Sequence, residues 1–349
     1  MRIAKLLAIL AAVVMSFALF SGCSKDNSSS NTDTDSSANT TTTSDSAREK
    51  TRVKVAVIKG PSGAGMANLM ETSAKGSALN DYEFTVVSSP EEIVNKISSG
   101  QVDIATPPTN IAATLYNNTN GNVKMLAVST SSVLYIMENG DTIKSVADLK
   151  GKTIYSTGQG ANPEYVLNYI LTQNGIDPKK DVNIEFKSEN DELATLLAAG
   201  TAKVALVPEP FVTTVKAKNP DIRVALDISK EWDTASQGKS QLLMGCVIGR
   251  REFIEKNQDA VLNFLNEYKE SVEKATSDIE TTASLCEKYE IIPKAAVAKQ
   301  ALPRCGLTFI TGKDMMEKIK GYFDVLFKAN PKSVGGALPD EGFYFDPAN

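Results

Sequence analysis

The sequence predicts an α/β protein built from two similar, largely parallel-sheet lobes joined by two chain crossings, and three observations carry the prediction. From Val53 onward, short apolar runs bounded by turn residues alternate with stretches of helical periodicity. The same order returns about one hundred residues later: Ser88, Ile93, Ile97, Gly100, Ile104 and Pro108 are matched by Ser188, Leu193, Leu197, Gly200, Val204 and Pro208. Beyond the second set stands another strand-like run, QLLMGCVIG, which offers the chain a route back to the first lobe.

Taken in order, VKVAVI reads as a buried strand, and GPSGAG as a turn into a helix over residues 66–74. EFTVVS is the next strand. The helix after it is well marked, with Ser89 as cap, Pro90 in its first position, Glu91 and Glu92 at the positive end of its dipole, and Gly100 closing it. QVDIAT is a strand ending at Pro107 and Pro108, and TNIAATLYNN a helix. The second set runs KTIYST, GQGANPEYVLNYILTQNG, VNIEFKS, ENDELATLLAAG and KVALVPEPF. RVALDI and QLLMGCVIG follow as strands, and the remainder to Asn330 reads as mostly helical, with core-facing stripes over residues 252–274 and 315–328. The first lobe is therefore expected over residues 52–134 plus 240–349 and the second over 135–239, with crossings near 133–138 and 227–241.

Residues 1–22 have the form of a secretory signal: Arg2 and Lys5, an apolar run over residues 6–20 too short to span a bilayer comfortably, then Ser21 and Gly22. The small pair before Cys23 resembles the lipobox of bacterial lipoproteins, with Phe20 where leucine is usual. That resemblance implies lipidation at Cys23 and attachment to the cell membrane, the protein working on its extracytoplasmic side. Residues 23–51 then form a tether rich in Ser, Thr, Asn and Asp, with too little apolar surface to offset the entropy of ordering. Such a tether reaches roughly 90 Å extended and about 30 Å as a coil.

Composition narrows the function. The chain carries 37 Lys and Arg against 42 Asp and Glu, a formal charge of −5, with no basic cluster outside the signal, so nucleic acid is not an expected partner. The absence of histidine removes the commonest general acid, base and metal ligand. Besides Cys23 there are Cys246, Cys286 and Cys305; Cys286 and Cys305 flank a helix-like segment and form the preferred disulfide, three buried thiols being the alternative. A monomer is the default expectation.

In open α/β sheets, ligands sit beyond the carboxyl ends of the strands. Four turns are thereby marked: residues 60–66, 106–110, 157–162 and 207–211. Gly60, Gly63, Gly65, Gly158 and Gly160 are expected to let backbone amides approach a ligand, with Ala64 and Ala161 beside them. Ser62, Thr106, Thr109, Asn110, Ser129, Thr157, Gln159 and Asn162 supply neutral hydrogen-bonding groups. Glu209, held between two prolines, is placed either to accept from a ligand amine or ring N–H or to act as a first-turn acid. Tyr135 and Trp232 lie near the crossings, where packing or cover of a ligand face are both open. GPSGAG lacks the dinucleotide spacing and no phosphate-loop motif occurs, so no cofactor is expected.

The runs SSPEEIVNKISSGQVDIATPPTNIAATLY, SVADLKGKTI and VALVPEPF resemble the solute-binding proteins of nitrate, taurine, alkanesulfonate and thiamine-precursor ABC transporters, over residues 53–330. The resemblance implies a type II periplasmic-binding fold, two Rossmann-like lobes on a two-stranded hinge, closure on a small molecule, and delivery to an ABC permease. It places Ser62, Gly63, Thr106, Pro107, Thr109, Asn110, residues 158–162 and Glu209 along the cleft. Val207 and Pro208 stand where relatives often carry Trp before the EP element, and the cleft turns hold no arginine, leaving a sulfonate, carboxylate, pyrimidine or amine as ligand classes. Two other roles remain open: a sensory lipoprotein, and a pyrimidine-synthesising enzyme of the same fold. The latter resembles a single-turnover enzyme using a histidine and a cysteine-rich motif, and this chain has neither.

Overall fold

The computed structural model describes residues 50–348; the signal segment, Cys23 and nearly all of the tether lie outside the described residues. The chain enters the first lobe as β1 (Arg52–Ile58), whose Val53, Val55, Ala56 and Val57 are fully buried, as a strand covered on both faces must be. There follow α1 (Pro61–Ala64), α2 (Ala67–Ala74), β2 (Asp81–Val87), α3 (Pro90–Ser98), β3 (Ile104–Ala105), α4 (Thr109–Asn118) and β4 (Val123–Thr130). The second lobe is β5 (Leu134–Glu138), β6 (Thr153–Ser156), α5 (Asn162–Gln173), β7 (Asn183–Phe186), α6 (Asn190–Ala198), β8 (Val204–Pro208), α7 (Phe211–Lys218), β9 (Arg223–Asp227) and α8 (Ile228–Ala235). The chain returns as β10 (Gly245–Arg250), α9 (Arg251–Lys256), α10 (Gln258–Ser277), α11 (Ile279–Lys288), α12 (Ala295–Ala301), β11 (Leu307–Ile310) and α13 (Gly312–Ala329).

Two sheets result. The six-stranded sheet has the order β11-β4-β10-β3-β1-β2 and the five-stranded sheet β7-β6-β8-β5-β9. Apart from β11, the two orders correspond strand for strand. In each, one antiparallel strand arrives from just after a crossing: β10 between β3 and β4, and β5 between β8 and β9. Each crossing strand thus buries itself in the lobe it enters, and the interval of one hundred residues is kept by α3 and α6. Both helices end on a glycine in the left-handed region, Gly100 at φ +73° and Gly200 at φ +77°, where a Cβ is disfavoured.

The structure corrects the crossings. Residues 134–138, expected in the first, already pair with β8 and β9, so the lobes part between Thr130 and Leu134. Most of the second expected crossing is α8, leaving residues 236–244 as the link. Trp232 on α8 is buried between Tyr169 of α5 and Tyr322 of α13, ring centroids 4.8 and 5.3 Å away, and its Nε1–H donates to the Ser240 carbonyl. It is therefore a packing residue that joins the lobes. The helical reading of the last third missed β11, a four-residue edge strand on β4. Beyond α13, the tail folds back over the first lobe, burying Phe343.

Candidate functional site in the interlobe cleft

Parallel strands β1 and β3 of one lobe, and β6 and β8 of the other, end in the four turns marked in the sequence. A cavity of about 160 Å³ lies between them, lined by Ile58 at the end of β1, Pro61 and Ser62 from the first turn and Pro108 from the second. Ala161 and Asn162 come from the third turn, Pro163 from the start of α5, and Pro208 from the fourth turn. Thr130, Val133, Leu134, Met244 and Gly245, at the two crossings, complete the wall. Hollows of about 320, 240 and 410 Å³ lie on the first lobe, and none of the three takes a residue from the second.

The polar side of the cavity is built around Gly245. A Cβ there would lie 2.4 Å from both Ser62 Oγ and Thr130 Oγ1 and 3.0 Å from Ser129 Oγ, so the missing side chain is what lets three hydroxyls converge. Two bridges between the lobes flank the cavity. In one, Asn162 Nδ2 donates to Thr109 Oγ1 (3.2 Å) and to the Met244 carbonyl (3.1 Å), while the Tyr322 hydroxyl donates to Asn162 Oδ1 (3.1 Å). In the other, Arg304 Nε donates to Glu209 Oε1 at 2.6 Å, and Arg304 Nη2 to Thr213 Oγ1 at 2.7 Å. Thr213 in turn donates to Glu209 Oε2 through its amide and hydroxyl. Burial, with the nearby Asp227 and Glu209 carboxylates, pushes the Tyr135 hydroxyl up to about 12.

Several expected ligand contacts have other work. Glu209 accepts from Arg304 at Oε1 and twice from Thr213 at Oε2, so its carboxylate serves the bridge between the lobes. Gly63 and Gly65 permit close packing: a Cβ at Gly63 would lie 2.3 Å from the Ile58 carbonyl, and one at Gly65 3.1 Å from the Tyr268 hydroxyl. Ala64 is part of the first lobe's core. Thr106 Oγ1 accepts from the Ile58 amide, tying β3 to β1, and Thr157 Oγ1 donates to Asn190 Oδ1 within the second lobe. Gly158 packs on Pro163, Gln159 is exposed, and the Gly160 amide donates to Glu164 Oε2 at 2.6 Å. Asn110 is buried on α4 with its Oδ1 lacking a protein partner.

Four amides at the turns are used within the protein. Those of Gly60, Thr109, Ala161 and Glu209 donate to the carbonyls of Ile291, Met244, Gly158 and Val133. The Pro107 carbonyl accepts from the Cys246 amide. Cys246, Cys286 and Cys305 are free and buried, so the expected disulfide is not formed; burial pushes the Cys286 thiol up to about 12 and those of Cys246 and Cys305 higher still. Reasoning from the sequence overlooked the apolar wall: Pro61, Pro108, Pro163 and Pro208 each stand one residue from a marked polar group, and the available signal was that adjacency.

The family model for ABC transporter, phosphonate, periplasmic substrate-binding proteins matches residues 75–281, more than half of the chain. The chain belongs to this family. Among curated proteins, the binding protein YtlA of Bacillus subtilis (strain 168) is 24% identical over 116 residues, 33% of this chain and only 32% of that protein. Among solved structures, an ABC transporter protein from Parabacteroides distasonis superposes with a TM-score of 0.71 at 23% identity, covering 85% of this chain and 99% of that one. The periplasmic aliphatic sulphonate binding protein SsuA of Escherichia coli gives 0.66 at 16% identity, covering 85% and 92%. These likenesses establish the open two-sheet α/β fold of periplasmic binding proteins. Among the described residues, no helix of this family member is long and apolar enough to cross a membrane, and no group of acidic residues or cysteines has metal-site geometry.

Proposed function

We propose that this family member is the extracytoplasmic receptor of an ABC importer: it captures a small solute between its lobes and delivers it to a membrane permease, without catalysing a reaction. One observation carries the reading: residues from both lobes, all four turns and both crossings line a single cavity. A solute touching both walls favours the closed arrangement by its differential affinity. Family membership supports the importer role, and the Ser21-Gly22-Cys23 sequence supports attachment to the membrane through a lipidated Cys23. On this reading the two moving bodies are the lobe of β1–β4 with β10–α13 and the lobe of β5–α8.

Ligand titration of the purified protein tests the capture step. A binding solute raises the melting midpoint, by about 2.7 kcal/mol of stabilisation at one hundred times its Kd. Failure of Ala161→Trp, which fills the cavity, to abolish that response would place the ligand elsewhere. The anchor has its own test: Cys23→Ala is expected to move the protein from the membrane fraction to the soluble one, and unchanged membrane association would exclude lipidation at this cysteine.

A further inference from the structure

We infer that Thr109 and Glu209, equivalent residues of the two lobes, are paired hinge stops that set how readily the lobes part; this rests on the receptor reading and gives its closure a control. Each holds one crossing by its amide and the opposite lobe by its side chain.

The equivalence comes from register. Pro208 pairs antiparallel with Leu134, the first residue of β5, and Pro108 pairs antiparallel with Gly245, the first residue of β10. Thr109 and Glu209 follow those prolines, one hundred residues apart. The Glu209 amide donates to the Val133 carbonyl at 2.9 Å and the Thr109 amide to the Met244 carbonyl at 3.1 Å. Each amide thus holds the last residue of the crossing that enters its own lobe.

Each side chain then meets the other lobe. Thr109 Oγ1 donates to the Leu243 carbonyl at 2.7 Å and accepts from Asn162 Nδ2 of the second lobe at 3.2 Å. Glu209 Oε1 accepts from Arg304 Nε of the first lobe at 2.6 Å. Parting the lobes separates Asn162 from Thr109 and Arg304 from Glu209, whereas each amide bond joins a lobe to its own crossing and need not break. Val133 and Met244 also line the cavity, so a solute held there rests against the residues that the two stops hold.

The two stops differ in chemistry. Thr109 and Asn162 form a neutral, buried pair. Glu209 and Arg304 are charged, and the Arg304 side chain reaches solvent, where salt screens it. A hydrogen bond between charged groups is also the stronger kind. Opening is therefore resisted by one stop that is indifferent to salt and one that salt weakens.

The experiment measures opening in the purified protein without added solute, by small-angle scattering and by acrylamide quenching of Trp232. This residue is the only tryptophan, and its Nε1–H bonds to the second crossing at Ser240. Thr109→Val keeps the shape and removes the hydroxyl, whereas Thr109→Ser keeps the hydroxyl and removes a methyl. The open-to-closed ratio is expected to rise roughly five- to tenfold in Thr109→Val, as the loss of a neutral hydrogen bond implies, and to stay near wild type in Thr109→Ser. Packing alone gives the reverse order, and that result overturns the inference. Arg304→Met should raise the ratio roughly tenfold or more and remove its rise between about 50 and 500 mM salt, while Arg304→Lys keeps the salt response. In the double variant Thr109→Val with Arg304→Met the ratio should exceed that of either single variant. An unmoved ratio in the double variant overturns the pairing of stops, and a salt response that survives Arg304→Met overturns their division into neutral and charged. These outcomes leave the receptor reading standing; it falls instead if no solute of a broad panel raises the melting midpoint.

Discussion

Glu209 and Arg304 show how one pair changes the meaning of a site. The Glu209 side chain is completely buried and that of Arg304 is 43% exposed, so the pair is a bridge between lobes with one foot in solvent. Glu209→Gln keeps the shape and removes the charge; it is expected to cost about 1.5–3 kcal/mol, the range for a hydrogen bond to a charged group, measured by urea denaturation. Gly245→Ala places a Cβ 2.4 Å from two hydroxyls. It should overpack the site by about 1–3 kcal/mol and abolish ligand response in calorimetry.

Glu138 provides a pH dependence. Burial raises its pKa, but the Thr142 hydroxyl and amide, the Ile143 amide and the Arg223 guanidinium outweigh burial and hold it at about 2, below the ordinary 4.5. A depressed folded pKa means that the unfolded chain binds the proton more readily. The stabilisation is thus present above pH 4.5 and lost as pH falls toward 2. Glu138→Gln should lower the urea midpoint at pH 7 and flatten its change between pH 4.5 and 2; an equally steep variant would assign the acid sensitivity to other groups.

Helix α3 forms where its capping residues say it should. Ser89 Oγ accepts from the Glu92 amide while Glu92 Oε1 accepts from the Ser89 amide, a closed box with Pro90 inside it and Ile93 and Ile97 facing the core. Ser89→Ala is expected to cost about 0.5–2 kcal/mol, readable as a lower urea midpoint with the ligand response retained. Its counterpart α6 starts at the matching position without a side-chain cap, so helix placement in the repeat does not depend on capping alone. Strand β11 is the contrasting case: LTFI is half-buried and too short for periodicity, and only pairing with β4 makes it a strand.

For the molecule as a whole, the bridges of Asn162 and of Glu209 with Arg304 join the lobes. Asn162→Ala removes one bridge and should shift the population toward open forms, weakening ligand affinity and altering the emission of Trp232, which packs against an aromatic ring from each lobe. Retention of full affinity would mean that this bridge does not contribute to closure.

The lobes, their hundred-residue repeat, the return strand and the four turns were legible in the chain because apolar periodicity, glycine and proline act through local backbone geometry. The use of each turn was not. Whether Glu209 meets a ligand or Arg304 depends on a residue 95 positions away, and whether an amide is free depends on the carbonyl opposite it. Cys286 and Cys305 were a plausible pair by spacing, yet both remain thiols in a packed interior. Local chemistry determines where a cleft can form; long-range contacts between the lobes decide which of its groups are left to bind, since a donor or acceptor already paired has little left to offer a ligand.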